Sequence, residues 1–118
     1  MIDIRTELSP LRMVLARRNP VELMVELNNN TNKTQMITLT IDLGNQLAFD
    51  KGGRTSIQTK HIDKFQPGEH MRDYYNIYPR PVTDQGEHAL VITIDEHYNN
   101  SYQYVQSKKS KELVLRVE

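Results

Sequence analysis

The fold is decided by residues 21–43, VELMVELNNNTNKTQMITLTIDL. Every second residue of the first part is apolar, namely Val21, Leu23, Val25 and Leu27. The positions between them are Glu22, Met24, Glu26 and Asn28. Because successive side chains of a strand point to opposite faces, this part predicts a strand with one buried face and one wet face. After a polar turn the alternation resumes at Ile37, Leu39, Ile41 and Leu43, so we predict a second strand, joined to the first as a hairpin.

The same period continues on either side of this stretch. Before it, apolar residues from Ile2 to Leu15 are interrupted by Pro10, which predicts an edge strand broken by a proline rather than the alternative helix over residues 8–18. After it, further strands are predicted by Ile57, Ile62 and Phe65, by Met71, Tyr75 and Ile77, by Leu90, Ile92 and Ile94, and by Leu113, Leu115 and Val117. The spacing of turn signals predicts an all-β chain, an antiparallel β-sandwich of about seven strands.

Several turns and strand ends carry a resemblance to a known group of domains. They are Asn28-Asn29-Asn30-Thr31, Pro67-Gly68-Glu69, Ile77-Tyr78-Pro79-Arg80-Pro81, Gly86 and Leu113-Val114-Leu115-Arg116-Val117. On these residues the sequence resembles immunoglobulin-like domains of the CARDB and fibronectin type III kind. It looks closest to small stand-alone archaeal members, in which Leu47-Ala48-Phe49-Asp50 and Glu96-His97-Tyr98 would also have counterparts.

The resemblance implies an immunoglobulin-like β-sandwich that serves as an adhesion or interaction module without catalytic activity. It supplies no functional residues. At one position the sequence departs from the group, because Asp73 stands where such domains usually have an apolar residue.

Composition restricts the class of protein further. A chain of 118 residues can bury one core, so we predict a single domain over residues 1–118. A formal net charge of +0 gives no long-range attraction to nucleic acid or to an anionic membrane, and neither is expected as a partner. The sequence contains no Cys, signal peptide or apolar membrane span, which predicts a cytoplasmic protein, or a cell-surface one if the chain is a fragment.

The sequence offers no strong catalytic or metal-binding motif. Nucleophile elbows, phosphate-binding loops and metalloprotease motifs are all missing, so we predict no enzyme and no cofactor. His61 with Asp63, and Asp95 with His97, could each place two metal ligands on one strand face. A closed site needs four ligands, so we predict surface pairs and no metal, unless another strand adds a third ligand.

A cluster of tyrosines and arginines is the best candidate binding surface. If Tyr75 faces the core, then Arg72, Tyr74, Tyr78 and Arg80 stand on the outer face of one strand, and Tyr and Arg are typical of binding hot spots. The plainer interpretation is an amphipathic strand face on which these side chains only cover the sheet. Tyr98, Tyr102 and Tyr104 are expected in a loop, and residues 108–111, KKSK, in a solvated turn.

Two functions are predicted, the first from the near-zero net charge and the open edges of a sandwich and the second from the tyrosine cluster. The first is a non-enzymatic protein-interaction or structural module that binds a partner protein, including a second copy of itself as a homodimer, through a sheet face or an edge strand. The alternative is a domain that binds carbohydrate or single-stranded nucleic acid, because tyrosine rings stack on sugars and bases.

Overall fold

The computed structural model describes residues 2–118, and almost all of its regular structure is β-strand. The strands are β1 (Ile2–Ser9), β2 (Arg12–Met13), β3 (Val21–Asn29), β4 (Gln35–Asp42), β5 (Leu47–Ala48), β6 (Ile57–Phe65), β7 (His70–Pro79), β8 (Gly86–Tyr98) and β9 (Ser101–Val117). A 3₁₀ turn at Leu15–Arg17 is all the helical structure in the described part of the chain. No helix there has the length and apolar character needed to cross a membrane.

Two sheets face each other. The four-stranded sheet has the order β1-β3-β7-β5 and the five-stranded sheet the order β2-β9-β8-β4-β6. All pairs are antiparallel except the short parallel pair of β2 with β9. The predicted edge strand broken by a proline is confirmed, because β1 and β2 flank Pro10 and lie at the edges of different sheets. The predicted all-β antiparallel sandwich is therefore confirmed.

The predicted hairpin between residues 21–28 and 37–43 is wrong. β3 pairs with β1 and β7 in one sheet, whereas β4 pairs with β6 and β8 in the other. The apolar faces meet across the sandwich, with a core that includes Leu23, Val25, Leu27, Ile37, Leu39, Ile41, Leu90, Ile92 and Ile94. Alternation requires only that one face of each strand be buried, and packing across the sandwich satisfies this as well as a hairpin would.

The chain ends in a long hairpin of β8 and β9. Asn99 and Asn100 form its turn with φ of 55° and 52°, a left-handed conformation that asparagine tolerates and that two-residue hairpin turns favour. The expectation of a tyrosine-bearing loop and of a lysine turn at residues 108–111 is wrong, because Tyr98 ends β8 and Tyr102, Tyr104 and residues 108–111 lie in β9. Pairing with β8 therefore keeps this segment in a strand, although its polar composition favours a loop.

Both open sides of the sandwich are closed by lysine. On one side Lys60 of β6 lies 2.8 Å from an oxygen of Asp73 on β7, which explains the carboxylate at a position expected to be apolar. On the other side Lys109 of β9 donates to the carbonyl oxygen of Ile2, 3.2 Å away. β6 is an edge strand, and within residues 2–118 β9 forms an open edge at Lys109, because β2 pairs only with the last two residues of β9. Lysine on such an edge opposes further strand pairing, so these two edges of the five-stranded sheet are protected against added strands.

Asn29 joins two of the connections between the sheets. Its side chain is fully buried, and its amide nitrogen donates to the carbonyl oxygens of Phe65 (2.8 Å) and Lys33 (3.0 Å). Its amide oxygen accepts from the backbone N–H of Thr31, 3.0 Å away. Its backbone N–H donates to the carbonyl oxygen of Glu69. The β3–β4 and β6–β7 connections are therefore held together by one side chain.

We expect Asn29→Ala to lower the free energy of unfolding by about 3 kcal/mol, because several buried backbone groups lose their partners. Asn32→Ala is the matched control: Asn32 lies in the same connection and is exposed, so a change within about 0.5 kcal/mol is expected. Urea unfolding of both variants measures the difference. Equal stabilities would contradict the role given to Asn29.

Candidate functional site

The outer face of the four-stranded sheet carries a buried carboxylate between two arginines. The strand register aligns Arg5, Glu26 and Arg72 in one row across β1, β3 and β7. Glu26 is only 6% exposed, and its oxygens lie 3.5 Å from Nη1 of Arg5 and 3.4 Å from Nη2 of Arg72. Arg72 donates a hydrogen bond to Oε1, whereas Arg5 forms an ion pair without a hydrogen bond, and Oε2 has no donor within residues 2–118. A buried carboxylate is tolerated when it is paired, so the two guanidinium groups stabilise Glu26.

The guanidinium groups themselves stay largely exposed. The side chain of Arg5 is 71% exposed and that of Arg72 is 53% exposed. The side chains of Tyr74 and Glu26 raise the pKa of Arg72 above its ordinary value, so it is charged at any physiological pH. Each guanidinium has five N–H donors, and one carboxylate cannot occupy both sets. Donors for a further partner therefore remain on this face.

The neighbouring row is apolar at its centre. It aligns Glu7, Met24 and Tyr74. Met24 is 9% exposed, although it lies on the face expected to be wet, and Tyr74 beside it is 57% exposed. Together the rows form a depression of about 280 Å³, called here the outer-face depression, which is lined by Arg5, Glu7, Ser9, Glu22, Met24, Glu26, Arg72 and Tyr74.

The structure divides the predicted cluster into two groups. Arg72 and Tyr74 line the outer-face depression, as expected from their alternation with Tyr75 and Ile77. Tyr78 is half-buried at the end of β7 and lines a different depression, and Arg80 lies beyond the last residue of the strand. The expectation that all four share one strand face is therefore wrong for Arg80, since β7 ends at Pro79 and the Arg80 guanidinium donates to the carbonyl oxygen of Asn45 (3.1 Å).

A second polar cluster lies on the outer face of the five-stranded sheet. The hydroxyl of Thr38 on β4 bridges Nδ1 of His61 on β6 (2.9 Å) and Nε2 of His97 on β8 (2.7 Å). Nδ1 of His97 lies 3.0 Å from the carbonyl oxygen of Tyr104 and must donate to it. With both rings neutral, Nε2 of His97 then accepts from Thr38, whose oxygen accepts from His61. The hydrogen bonds thus form one directed chain.

Tyr102 covers this cluster. The register of β8 with β9 is irregular between His97 and Tyr98, and the Tyr102 ring lies over both histidines with centroid distances of 4.4 Å to His61 and 5.1 Å to His97. Its hydroxyl donates to Asp63. This hydrogen bond, with smaller contributions from burial and from the Asp63 charge, raises the pKa of Tyr102 to about 12.

The two predicted His–Asp pairs are rearranged by these contacts. His61 and His97 meet at Thr38, Asp63 binds Tyr102, and Asp95 lies 3.7 Å from Lys108. In residues 2–118 no three His, Cys, Asp or Glu side chains are grouped so that they could hold a metal ion. Sequence reasoning missed Thr38. Thr38 and Thr40 occupy equivalent polar positions of the same alternating strand, so the pattern does not single out either one.

Comparison with known proteins establishes the fold. No protein-family model and no curated protein matches the chain. Native alpha-2-macroglobulin from Escherichia coli, in a structure spanning domain MG7 to the C-terminus, is similar with a TM-score of 0.70 at 14% identity; the match covers 100% of this chain and 16% of that chain. A FixG-related protein from Vibrio parahaemolyticus is similar with a TM-score of 0.62 at 13% identity, over 99% of this chain and 96% of that one.

At these identities the likeness shows the fold alone. The fold is an immunoglobulin-like all-β sandwich, in agreement with the two sheets described above. The finer likeness to CARDB and fibronectin type III domains, and to archaeal members of that group, stays a prediction.

We expect Thr38→Val to lower the free energy of unfolding by about 2 kcal/mol, because it leaves a buried nitrogen of His97 without its hydrogen-bond donor. Thr40→Val makes the same change two residues along the same strand face, at a half-buried site, and should change stability by less than about 0.5 kcal/mol. Urea unfolding compares them. Equal losses would show that the Thr38 hydroxyl has no special role.

The tyrosines also provide a titration test. We expect two of the six, Tyr75 and Tyr102, to ionise near pH 12 in an ultraviolet-absorbance titration of the folded protein, the first because of burial and then Asp73, the second because of Asp63. In Asp63→Asn only Tyr75 should do so. Asp84→Asn, which alters an exposed carboxylate elsewhere, should leave the titration unchanged. An unchanged titration in Asp63→Asn would contradict the Tyr102–Asp63 contact.

The sign of the pH effect follows from the direction of the shift. A raised pKa means that folding favours the protonated phenol. The contribution of Tyr102 to stability is therefore complete below its ordinary pKa of 10.0 and is lost as the pH rises to about 12.

Proposed function

We propose that this chain is a non-enzymatic protein-interaction module that binds a partner protein through the outer-face depression. The observation that carries the proposal is the burial of Glu26 between Arg5 and Arg72 beside the exposed ring of Tyr74. Arg, Tyr and Met are enriched at protein interfaces. Because Glu26 already holds Arg72 by a hydrogen bond, less side-chain entropy is lost when a partner binds.

The edges of the sheets support a face rather than a strand as the binding surface. Lys60 on β6 and Lys109 on the open edge of β9 protect the edges of the five-stranded sheet, because lysine on an edge strand opposes strand addition. On the outer face of the four-stranded sheet, by contrast, the Tyr74 side chain is exposed and can contact a partner. Among the two modes predicted from the sequence, face binding is therefore the one that we propose.

The charge of the depression bears on the alternative function. Its lining contains two arginines and three glutamates, a balance that opposes the phosphates of single-stranded nucleic acid. Tyr74 is the one aromatic residue in that lining, so stacking on several bases or sugars has little support. Carbohydrate binding is kept as an outcome of the test below.

Two finer assignments belong to the same proposal. The resemblance to CARDB and fibronectin type III domains supports an adhesion or interaction role. The cysteine-free sequence supports a cytoplasmic location of this chain, or a cell-surface one if the chain is a fragment of a larger protein.

The partner test uses Tyr74→Ala, a substitution of an exposed side chain. Light scattering over a concentration series first measures self-association, and affinity capture from the source cell then identifies a different partner. We expect Tyr74→Ala to weaken the measured association by about 30-fold, the effect of losing a hot-spot tyrosine. Tyr104→Ala, an exposed tyrosine on β9, is the matched control and should bind as the unmodified protein does.

Two outcomes would overturn the proposal. One is a strict monomer with no captured protein that distinguishes Tyr74→Ala from Tyr104→Ala. The other is binding on a glycan array, or to an oligonucleotide, that is lost in Tyr74→Ala, which would establish the alternative function.

A further inference from the structure

A second depression lies at the far end of β7 from the Arg5–Glu26–Arg72 row. Its volume is about 240 Å³ and its lining consists of Arg18, Lys51, Tyr78 and Pro79. These residues come from three distant parts of the chain: the end of the 3₁₀ turn, the connection after β5, and the end of β7. The lining therefore contains two cations, Arg18 and Lys51, and the phenol of Tyr78. No carboxylate of residues 2–118 contributes to it.

Arg18 is held in place by its backbone. Its φ is 51°, a left-handed conformation that an arginine seldom adopts, and its N–H donates to the carbonyl oxygen of Leu15 (3.1 Å). Its Nη2 lies 3.5 Å from the carbonyl oxygen of Pro79. This conformation closes the C-terminal end of the 3₁₀ turn, where left-handed residues are common. The contact with Pro79 therefore places the Arg18 guanidinium at the depression without a ligand.

The charges of Arg18 and Lys51 are not neutralised within the described part of the chain. Neither side chain forms an ion pair with a carboxylate of residues 2–118. The nearest acid in sequence is Asp50, whose oxygens accept the backbone N–H groups of Thr55 (2.9 Å) and Arg54 (3.0 Å). These hydrogen bonds, that of Thr55 first, lower the pKa of Asp50 and engage its carboxylate within its own loop.

A third cation lies beside the same loop. A Cβ atom added to Gly53, which has a φ of 71°, would come within 3.2 Å of Cγ of Arg80, so the Arg80 side chain packs directly against the loop that carries Lys51. The Nε of Arg80 is buried and has no hydrogen-bond partner in residues 2–118. Arg80 therefore adds positive charge next to the depression, in a chain whose net charge is +0.

We propose that this depression binds a dianionic phosphate group, the chemistry that a phosphate monoester and inorganic phosphate share. The site offers N–H donors from a guanidinium and an ammonium, and an O–H donor from Tyr78, which suits an anion with three terminal oxygens better than a planar carboxylate. A phosphate monoester carries a charge of about −1.5 to −2 at neutral pH, which matches two unpaired cations. The site shares no residue with the outer-face depression, so it is independent of the proposed function.

The test is a titration of isotope-labelled protein with inorganic phosphate, O-phosphoserine or acetate at constant ionic strength, followed by amide NMR. We expect both phosphates to give saturating shifts at Lys51, Gly52 and Gly53, and acetate to bind at least fivefold more weakly. Tighter binding of O-phosphoserine would identify the ligand as a phosphorylated residue, and tighter binding of inorganic phosphate would identify the free anion. Both results support the site.

Substitutions separate the site from general attraction of anions. Lys51→Ala removes an exposed loop side chain. Arg18→Asn removes the guanidinium and introduces a residue that tolerates the left-handed backbone conformation. Each substitution should weaken phosphate binding about fivefold or more. Tyr78→Phe should weaken it while keeping the ring. Lys33→Ala removes one exposed lysine elsewhere and should have no effect.

Three results would overturn the proposal. They are shifts that do not saturate, equal affinity for acetate and phosphate, and equal affinity of Lys51→Ala and Lys33→Ala for phosphate. The dispersion of the amide spectrum establishes that each variant is folded, so a loss of binding cannot be confused with a loss of structure.

Discussion

The buried amide of Asn29 is the constraint on which the arrangement of the two sheets depends. A polar side chain without exposure is stable only when its donors and acceptors are occupied, and the Asn29 amide meets this condition through Phe65, Lys33 and Thr31. Its partners lie on the connections that carry the chain from one sheet to the other. Satisfying one side chain therefore ties the end of β3, with the β3–β4 connection, to the end of β6, and β3 and β6 belong to different sheets.

Register decides which polar side chains meet. In the four-stranded sheet the register aligns Arg5, Glu26 and Arg72. Glu26 is therefore buried although it lies on the outer face, which alternation predicts to be solvent-exposed. In the five-stranded sheet the register brings His61 beside Thr38, which also bonds His97. A shift of one residue in either sheet would turn these side chains to the other face and separate both groups.

The sequence could predict faces but not partners. Alternation placed Ile77 in the core and Tyr74 outside, and it put Asp73 on the inner face, where Lys60 of the opposite sheet pairs with it. It could not distinguish a hairpin from a crossing between sheets, because both bury one face of each strand. Nor could it find Thr38, since a contact among three strands depends on two registers that no local pattern encodes.

The two outer faces differ in how many of their polar groups form hydrogen bonds within the protein. This difference is the reason for proposing the outer-face depression as the binding surface. Around Thr38 the described donors and acceptors are used internally: each histidine has a partner, and the Tyr102 hydroxyl donates to Asp63. Such a network contributes to stability and offers little to a ligand. Around Glu26 one carboxylate pairs with two exposed arginines, hydrogen-bonds one of them, and leaves most of their donors free beside a large exposed ring. Ordered donors that are not yet used give a partner hydrogen bonds at a small entropic cost, which is the physical condition for a binding surface.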